Sequence, residues 1–186
     1  SDLKEQVYVE HDQINLVRAA LEAAKEETSG ISDTALQIPG MSGLNYRRFI
    51  NNYIRLIDNP RYLEIGAWTG STLCAAIDGI DNIYAVAVDN YSESFPHYST
   101  SPEKDCRDNV AKIKTESATV ELLLNQAFET FDPTPYGPFN VYMYDGNHQE
   151  EDQYQGIVRI APGLEEISLI VIDDWNDNEV FEVEYN

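Results

Sequence analysis

Short apolar segments alternate with stretches of helical periodicity along most of this chain. Five segments have the length and composition of buried strands, at residues 62–65, 83–88, 119–124, 139–144 and 167–172. Helical patterns lie between several of them, at residues 71–77, 102–114 and 149–160. Strands that are separated by helices predict an α/β fold with a parallel sheet and right-handed crossovers.

Two further helical patterns precede the first strand. One begins near Asp12 and stops at Gly30, and its apolar face contains Ile14, Val17, Leu21 and Ala24. The other ends before Pro60 and repeats an apolar residue every four positions, at Phe49, Tyr53 and Ile57. Residues 29–43, between these helices, contain one proline and three glycines and are predicted to form a loop.

Composition narrows the classes of function. The chain has 186 residues, which suits one domain, and 12 Lys and Arg stand against 33 Asp and Glu, for a net charge of −21. Such a surface repels phosphate backbones and anionic lipid, so we expect no nucleic-acid or membrane partner. No apolar run approaches a membrane span and the N-terminus lacks signal-peptide character. The two cysteines, Cys74 and Cys106, show no metal-type spacing, so we expect reduced thiols in a cytoplasmic protein.

The most informative stretch is Glu-Ile-Gly-Ala-Trp-Thr-Gly at residues 64–70, where a buried strand turns at glycine into a helix. Glu64 and Trp68 occupy positions where the dinucleotide fingerprint requires glycine, which disfavours a pyrophosphate ligand such as NAD. An acid followed by glycines four residues apart, Gly66 and Gly70, suits a cationic nucleoside without phosphate. Glu64 would then face its ammonium group. The alternative is an ordinary strand–turn–helix that binds nothing.

Polar residues follow the next two strands. Asp89 and Asn90 end the second strand about 20 residues beyond the glycines, where an acid can accept hydrogen bonds from a ribose diol. Gln126 and Ala127 follow the third strand and can offer an amide to an adenine edge. The alternative is that these residues only begin turns.

Three acids follow the fourth and fifth strands, namely Asp145, Asp173 and Asp174. The ends of neighbouring parallel strands lie about 5 Å apart, so these carboxylates would crowd one rim unless a proton or cation relieves the repulsion. An all-oxygen set of this kind favours Mg²⁺. His148, three residues after Asp145, can then serve as general base for a substrate hydroxyl. Helix capping and turn formation are the alternative roles.

Residues 64–70 closely resemble the first motif of class I S-adenosylmethionine-dependent methyltransferases. Taken with Asp89, Asp145, His148 and Asp173-Asp174, the chain from about residue 41 to 175 resembles the metal-dependent small-molecule O-methyltransferases, including the macrocin O-methyltransferase and cephalosporin-hydroxylase-like group. The resemblance implies a Rossmann-like, doubly wound sheet in the order 3-2-1-4-5, and methyl transfer to a hydroxyl of a small-molecule acceptor.

The resemblance also implies roles for individual residues. The cofactor would be held by Met41, Ser42, Glu64, Gly66, Ala67, Trp68, Thr69, Gly70, Ser71, Asp89, Asn90, Gln126, Ala127 and Asp145. Mg²⁺ would be bound by Asp145, Asp173 and Asp174, and catalysis would use His148 and Asp145. The related catechol enzymes have a lysine at the position of His148. An aromatic loop with Tyr91, Phe95 and Tyr98 would either cover the acceptor or pack on the sheet edge.

We expect one domain over residues 1–186, with N-terminal helices in 1–58, a cofactor-binding core in 59–175 and a tail in 176–186. The hairpin that usually completes a class I sheet has no counterpart, which suggests a truncated or minimal form. The fifth strand would then be an exposed edge, covered by a second copy of the chain or by residues 179–185.

Two other functional classes fit parts of the pattern. A non-catalytic S-adenosylmethionine-binding or interaction module would keep Glu64, Gly66, Gly70 and Asp89 but show neither a metal nor an open acceptor pocket. A metal-dependent oxygenase on this scaffold would need two histidines and one carboxylate. Only one histidine lies near the acids in the sequence.

Overall fold

The computed structural model describes the backbone of residues 2–175 and the side chains of residues 12–175. Five strands form one sheet: β1 (Arg61–Ile65), β2 (Tyr84–Asp89), β3 (Thr119–Leu124), β4 (Phe139–Tyr144) and β5 (Leu164–Ile172). The helices are α1 (Asp2–Lys25), α2 (Asp33–Leu36), α3 (Leu44–Leu56), α4 (Ser71–Ile77), α5 (Pro102–Ile113) and α6 (Glu150–Val158). Single 3₁₀ turns occur at Phe128–Thr130 and Ala161–Gly163.

The sheet has the order β3-β2-β1-β4-β5, and every neighbouring pair is parallel. This confirms the predicted Rossmann-like topology. Ile65 pairs with Val88 on one side and with Tyr144 on the other, so the carboxyl ends of β1, β2 and β4 lie level. The chain order reverses between β1 and β4, and open α/β sheets bind ligands at this position.

The central strands β1, β2 and β4 are buried on both faces because both sides of the sheet are covered, whereas β3 and β5 are partly exposed. Leu63, Val86 and Tyr142 belong to one core cluster, whereas Tyr62, Ala85 and Met143 pack on the other face against α3 and α4. Since side chains alternate along a strand, Glu64 lies on the same face as Tyr62. Its carboxyl group is therefore enclosed beneath the helices rather than at the end of the strand.

The N-terminal region differs from the sequence prediction in two respects. Helix α1 begins at Asp2 rather than near Asp12, and no glycine or proline interrupts the sequence before Lys25. It ends before Gly30, with Glu27 in the left-handed conformation (φ 57°) and the Thr28 N–H bonded to the Ala23 carbonyl. The buried face is also rotated: Ala20 and Ala24 are buried, whereas Ile14 and Leu21 are exposed.

The predicted loop at residues 29–43 contains one short helix, α2, which is capped by the Ser32 hydroxyl accepting from the Ala35 N–H. The helix that follows, α3, carries the predicted apolar stripe, and Phe49 and Tyr53 are buried. Among the described residues, no helix combines the length and apolar character that a membrane span requires. The C-terminal segment 179–185, an expected cover for β5, lies outside the described residues.

Candidate active site

The turn after β1 forms the centre of the site. Gly66 has φ 89°, and a Cβ built there would lie 1.8 Å from the Asp145 carbonyl oxygen, so no other residue fits. Gly70 also has positive φ, 77°, and precedes α4. Trp68, between them, is a non-glycine residue with φ 47°. The turn is therefore held in an unusual conformation by its two glycines and by contacts of Trp68.

Asp89 accepts hydrogen bonds from the backbone at two positions, Trp68 and Tyr91. Its Oδ2 accepts a hydrogen bond from the Trp68 backbone N–H at 2.7 Å, and its Oδ1 accepts from the Tyr91 N–H at 2.6 Å. Each carboxylate oxygen has a second lone pair, so this side chain can still accept from a diol. The backbone thus fixes Asp89 at the carboxyl end of β2, beside the glycine turn.

A cavity of about 250 Å³ opens at this end of the sheet. The predicted residues that line it are Met41, Gly66, Trp68, Asp89, Asn90, Gln126, Asp145 and His148. Two members of the aromatic loop, Tyr91 and Phe95, also line it, and the Phe95 ring packs edge-on to Trp68 at 5.1 Å between centroids. Tyr98 is not part of the wall and is exposed.

Seven predicted cofactor residues lie behind the cavity wall rather than in it: Ser42, Glu64, Ala67, Thr69, Gly70, Ser71 and Ala127. The Thr69 hydroxyl donates to the Pro39 carbonyl, and the Ser42 hydroxyl accepts from Thr72 Oγ1 at 3.0 Å. These contacts attach the 37–43 loop to the turn and to α4. The loop and the turn are thereby held together, and Met41 of this loop lines the cavity.

The carboxyl group of Glu64 does not lie where the sequence predicted. It is 1% exposed and accepts a hydrogen bond from the Tyr62 hydroxyl at 2.5 Å, so its carboxyl group does not face the cavity. Burial raises the pKa of Glu64 to about 8, with smaller contributions from Asp145 and Asp89, against the lowering effect of the Tyr62 hydrogen bond. Near neutral pH the group is mostly protonated in this structure, whereas the predicted contact with an ammonium group requires its charged form.

The acids that follow β4 and β5 form a compact cluster. Asp145, His148 and Asp173 each offer a ligand atom, and these atoms lie within 4.8 Å of one another. Burial and, to a smaller extent, the charge of Asp173 raise the pKa of Asp145 to about 7, against the lowering effect of His148. The pKa of Asp173 is likewise raised, by burial and then by Asp174. Two carboxylates that repel each other beside an imidazole suit a divalent cation.

Asp174 does not belong to that cluster, in contrast to its predicted place as a third metal ligand. Its φ of 50° turns the chain, and its Oδ2 lies 3.5 Å from His148 Nδ1. The other imidazole nitrogen, Nε2, lies 3.6 Å from Asp145 Oδ1. His148 is thus placed between two carboxylates, with Asp174 on its outer side.

Several cavity residues were not predicted from the sequence. Phe128 and Tyr144 pack edge-to-face with centroids 5.6 Å apart, and Glu129 and Asp152 line the cavity beside them. Phe128 and Glu129 lie on the 3₁₀ turn after β3, and Asp152 lies in the first turn of α6. Their only sequence signal was proximity to predicted strand ends.

One buried polar atom in the wall is unsatisfied. Within the described part of the chain, Trp68 Nε1 is buried and has no hydrogen-bond partner. Buried donors are nearly always paired, so this indole N–H is consistent with a ligand that supplies an acceptor.

Comparison with known proteins identifies the family. The model of a methyltransferase domain matches residues 63–175, more than half of the chain. No curated protein matches the sequence.

Solved structures share the fold at low sequence identity. An O-methyltransferase from Bacillus cereus in complex with SAH aligns with TM-score 0.58 and 15% identity, covering 92% of this chain and 72% of that one. A second structure is TomG, an O-methyltransferase from Streptomyces achromogenes that is involved in tomaymycin synthesis, in complex with SAM. It aligns with TM-score 0.54 and 13% identity, covering 92% of this chain and 70% of TomG. The SAH-bound methyltransferase PaMTH1 from Podospora anserina aligns with TM-score 0.52 and 20% identity. The alignment covers 85% of this chain and 61% of PaMTH1. The chain therefore belongs to the methyltransferase-domain family, and its sheet has the Rossmann-like fold of the class I S-adenosylmethionine-dependent methyltransferases.

Proposed function

We propose that this protein transfers a methyl group from S-adenosylmethionine to a hydroxyl of a small molecule, assisted by a divalent cation. The observation that carries the proposal is the placement of the Asp145–His148–Asp173 cluster at the same end of the sheet as the glycine turn and Asp89. The methyltransferase-domain match supports the transfer chemistry. The metal, its identity as Mg²⁺ and the hydroxyl acceptor are proposals drawn from the donor set.

The cofactor site is proposed to lie across the turn. Gly66, Gly70 and the backbone-anchored Asp89 favour a nucleoside, with Asp89 accepting from the ribose and Gln126 and Asn90 near the base. Met41 and Trp68 would flank the methionine part. S-adenosylmethionine supplies the methyl group as an electrophilic sulfonium.

Asp145 and Asp173 are the proposed metal ligands. Burial is the main cause of the raised pKa of each carboxyl group, and a bound cation would favour their charged forms. When bound, a divalent cation supplies Lewis-acid activation of an acceptor hydroxyl. Because the cluster contains an imidazole, we expect Mn²⁺ to substitute for Mg²⁺.

His148 is the proposed general base. Asp174 beside Nδ1 orients the imidazole and favours the tautomer with the proton on that nitrogen, which leaves Nε2 free to accept. Nε2 faces Asp145, where an acceptor hydroxyl near the cation would lie. His148 then removes the hydroxyl proton while the cavity wall aligns the acceptor for in-line transfer.

A non-catalytic S-adenosylmethionine-binding module is the second candidate. Asp173 favours it, because this proposed metal ligand is not among the described residues that line the cavity. Incubation with methyl-labelled S-adenosylmethionine, Mg²⁺ and a panel of hydroxylated small molecules separates the two. Label transfer that is lost on chelation supports the enzyme, and binding without transfer to any acceptor supports the module.

We also propose cytoplasmic location, one domain over residues 1–186, and self-association through β5. Strand β5 forms one end of the sheet order, and its Ile170 side chain is 39% exposed. Within residues 2–175, β5 pairs with β4 alone, and strand edges that lack a partner are normally covered.

A further inference from the structure

The cavity wall carries acidic charge well beyond what the proposed reaction uses. Five carboxylate residues line it: Asp89, Glu93, Glu129, Asp145 and Asp152. None of the described residues that line it is lysine or arginine. If a divalent cation neutralises Asp145 together with Asp173, the other four carboxylates remain. A ligand that fills the rest of the cavity therefore meets a field of one sign.

Two of these acids surround an aromatic pair. Phe128 and Tyr144 pack edge-to-face, and Tyr144 is fixed by donating from its hydroxyl to the Asn147 carbonyl at 3.0 Å. The carboxylates of Glu129, Asp145 and Asp152 line the same cavity as this pair. Carboxylates from a 3₁₀ turn, from α6 and from the end of β4 thus converge on one aromatic cluster.

Glu129 and Asp152 have no cationic partner among the residues whose side chains the structure describes. Within residues 12–175, neither carboxylate forms a salt bridge. Arg159 donates to the backbone carbonyl of Glu129 at 3.0 Å, and it does not line the cavity. Aromatic faces and unpaired carboxylates are the two groups that proteins combine to hold organic ammonium ions.

We propose that the methyl acceptor is a cationic small molecule, with a protonated amine that lies against the Phe128 ring, beside Glu129 and Asp152 in the cavity wall. The hydroxyl that receives the methyl group would lie toward His148. The same charges disfavour acceptors that carry phosphate or carboxylate. This inference rests on the proposed function, since it assigns the acceptor side of that site.

Three size-matched probes test the charge preference: phenylethylammonium, 2-phenylethanol and 3-phenylpropanoate. Each is titrated into the protein loaded with SAH, at low ionic strength, and followed by NMR. We expect phenylethylammonium to bind about tenfold or more tightly than 3-phenylpropanoate, with the neutral alcohol between them and the difference reduced by salt. Equal binding, or no binding of the ammonium probe, overturns the proposal.

A double variant, Glu129→Gln with Asp152→Asn, should reduce the preference to less than about threefold. The matched control, Glu22→Gln with Glu26→Gln, makes the same change in net charge at exposed positions in α1 and directly after it, and should keep the preference. Circular dichroism checks that both variants fold. If SAH itself fails to bind, the proposed function fails, and titration of the free protein still measures the charge preference. An unchanged preference in the double variant overturns the assignment to these two acids.

Discussion

The carboxyl group of Glu64 is enclosed on the helix-covered face of the sheet, where its charged form is disfavoured. The folded protein holds this proton up to about pH 8, whereas the unfolded chain releases it near the ordinary value of 4.5. The folded state therefore binds more protons between those values, and the free energy of unfolding falls as pH rises through that range.

Replacement of Glu64 by Gln keeps an acceptor for the Tyr62 hydroxyl and removes the titration. We expect the variant to lose much of the decline in unfolding free energy between pH 5 and 8, an effect on the order of a few kcal/mol. Urea unfolding at several pH values measures it, with Glu22→Gln as the exposed control. Parallel pH dependences of wild type and Glu64→Gln would show that the buried carboxyl group does not titrate as described.

The metal cluster makes a second prediction at the residue scale. Mg²⁺ or Mn²⁺ should raise the melting temperature of the wild type, because a ligand that binds only the folded state stabilises it. Asp145→Asn and Asp173→Asn should abolish this gain, whereas Asp174→Asn should retain most of it, since Asp174 lies outside the cluster. A loss in all three variants would restore Asp174 as a ligand.

The same cluster predicts a pH dependence of metal binding. A cation must displace the proton that Asp145 holds up to about pH 7, so metal affinity should rise as pH increases through that value. Calorimetric titration of Mn²⁺ on either side of pH 7 measures the change. A metal affinity that does not vary with pH would place the cation elsewhere.

At the scale of elements, the 37–43 loop is held over the turn by a buried arginine of α3. Arg47 is 3% exposed and donates to the Leu36 carbonyl at 3.0 Å, the Ile38 carbonyl at 2.8 Å and the Ser42 hydroxyl at 2.9 Å. The loop also packs tightly on α4, since a Cβ at Gly40 would lie 2.0 Å from Ser71 Oγ. The position of Met41 in the cavity wall therefore depends on α3.

Arg47→Met should lower the free energy of unfolding by roughly 3 kcal/mol, because buried carbonyl groups lose their donors. It should also weaken S-adenosylmethionine binding, since Met41 is no longer fixed. Arg48→Met, which removes only a hydrogen bond to Asn45 on the surface, should change stability by less than about 0.5 kcal/mol. Urea unfolding and calorimetry measure both effects. Equal behaviour of the two variants would remove the positioning role of Arg47.

The sequence predicted the strands well, because buried parallel strands are continuous apolar runs and the glycine turn fixes where the first one ends. The order of the strands followed from the resemblance to class I methyltransferases. Strands β3 and β4 have the predicted bounds. The site was less predictable. The burial of Glu64 depends on which face of β1 the helices cover, and the exclusion of Asp174 depends on a left-handed turn. Neither is visible in spacing along the chain.

At the scale of the whole molecule, the exposed edge of β5 predicts self-association. Light scattering coupled to size exclusion should give a mass above that of one chain, and Ile170→Lys should lower it by placing a charge on the exposed edge. The large negative charge opposes association, so added salt should favour it. A monomer at all salt concentrations would contradict association through this edge.

The central claim is that the turn between Gly66 and Gly70, together with Asp89, binds S-adenosylmethionine. Titration calorimetry of S-adenosylmethionine into the wild type and Asp89→Ala tests it most directly, with NADH as the competing ligand. The control is Asp81→Ala, because Asp81 is an acid that lies shortly before the amino end of β2, away from the carboxyl end where Asp89 lies. We predict micromolar-range binding to the wild type and to the control, a loss of roughly 1–3 kcal/mol in Asp89→Ala, and no binding of NADH. Binding of NADH without S-adenosylmethionine, or equal affinity in Asp89→Ala, would contradict the account.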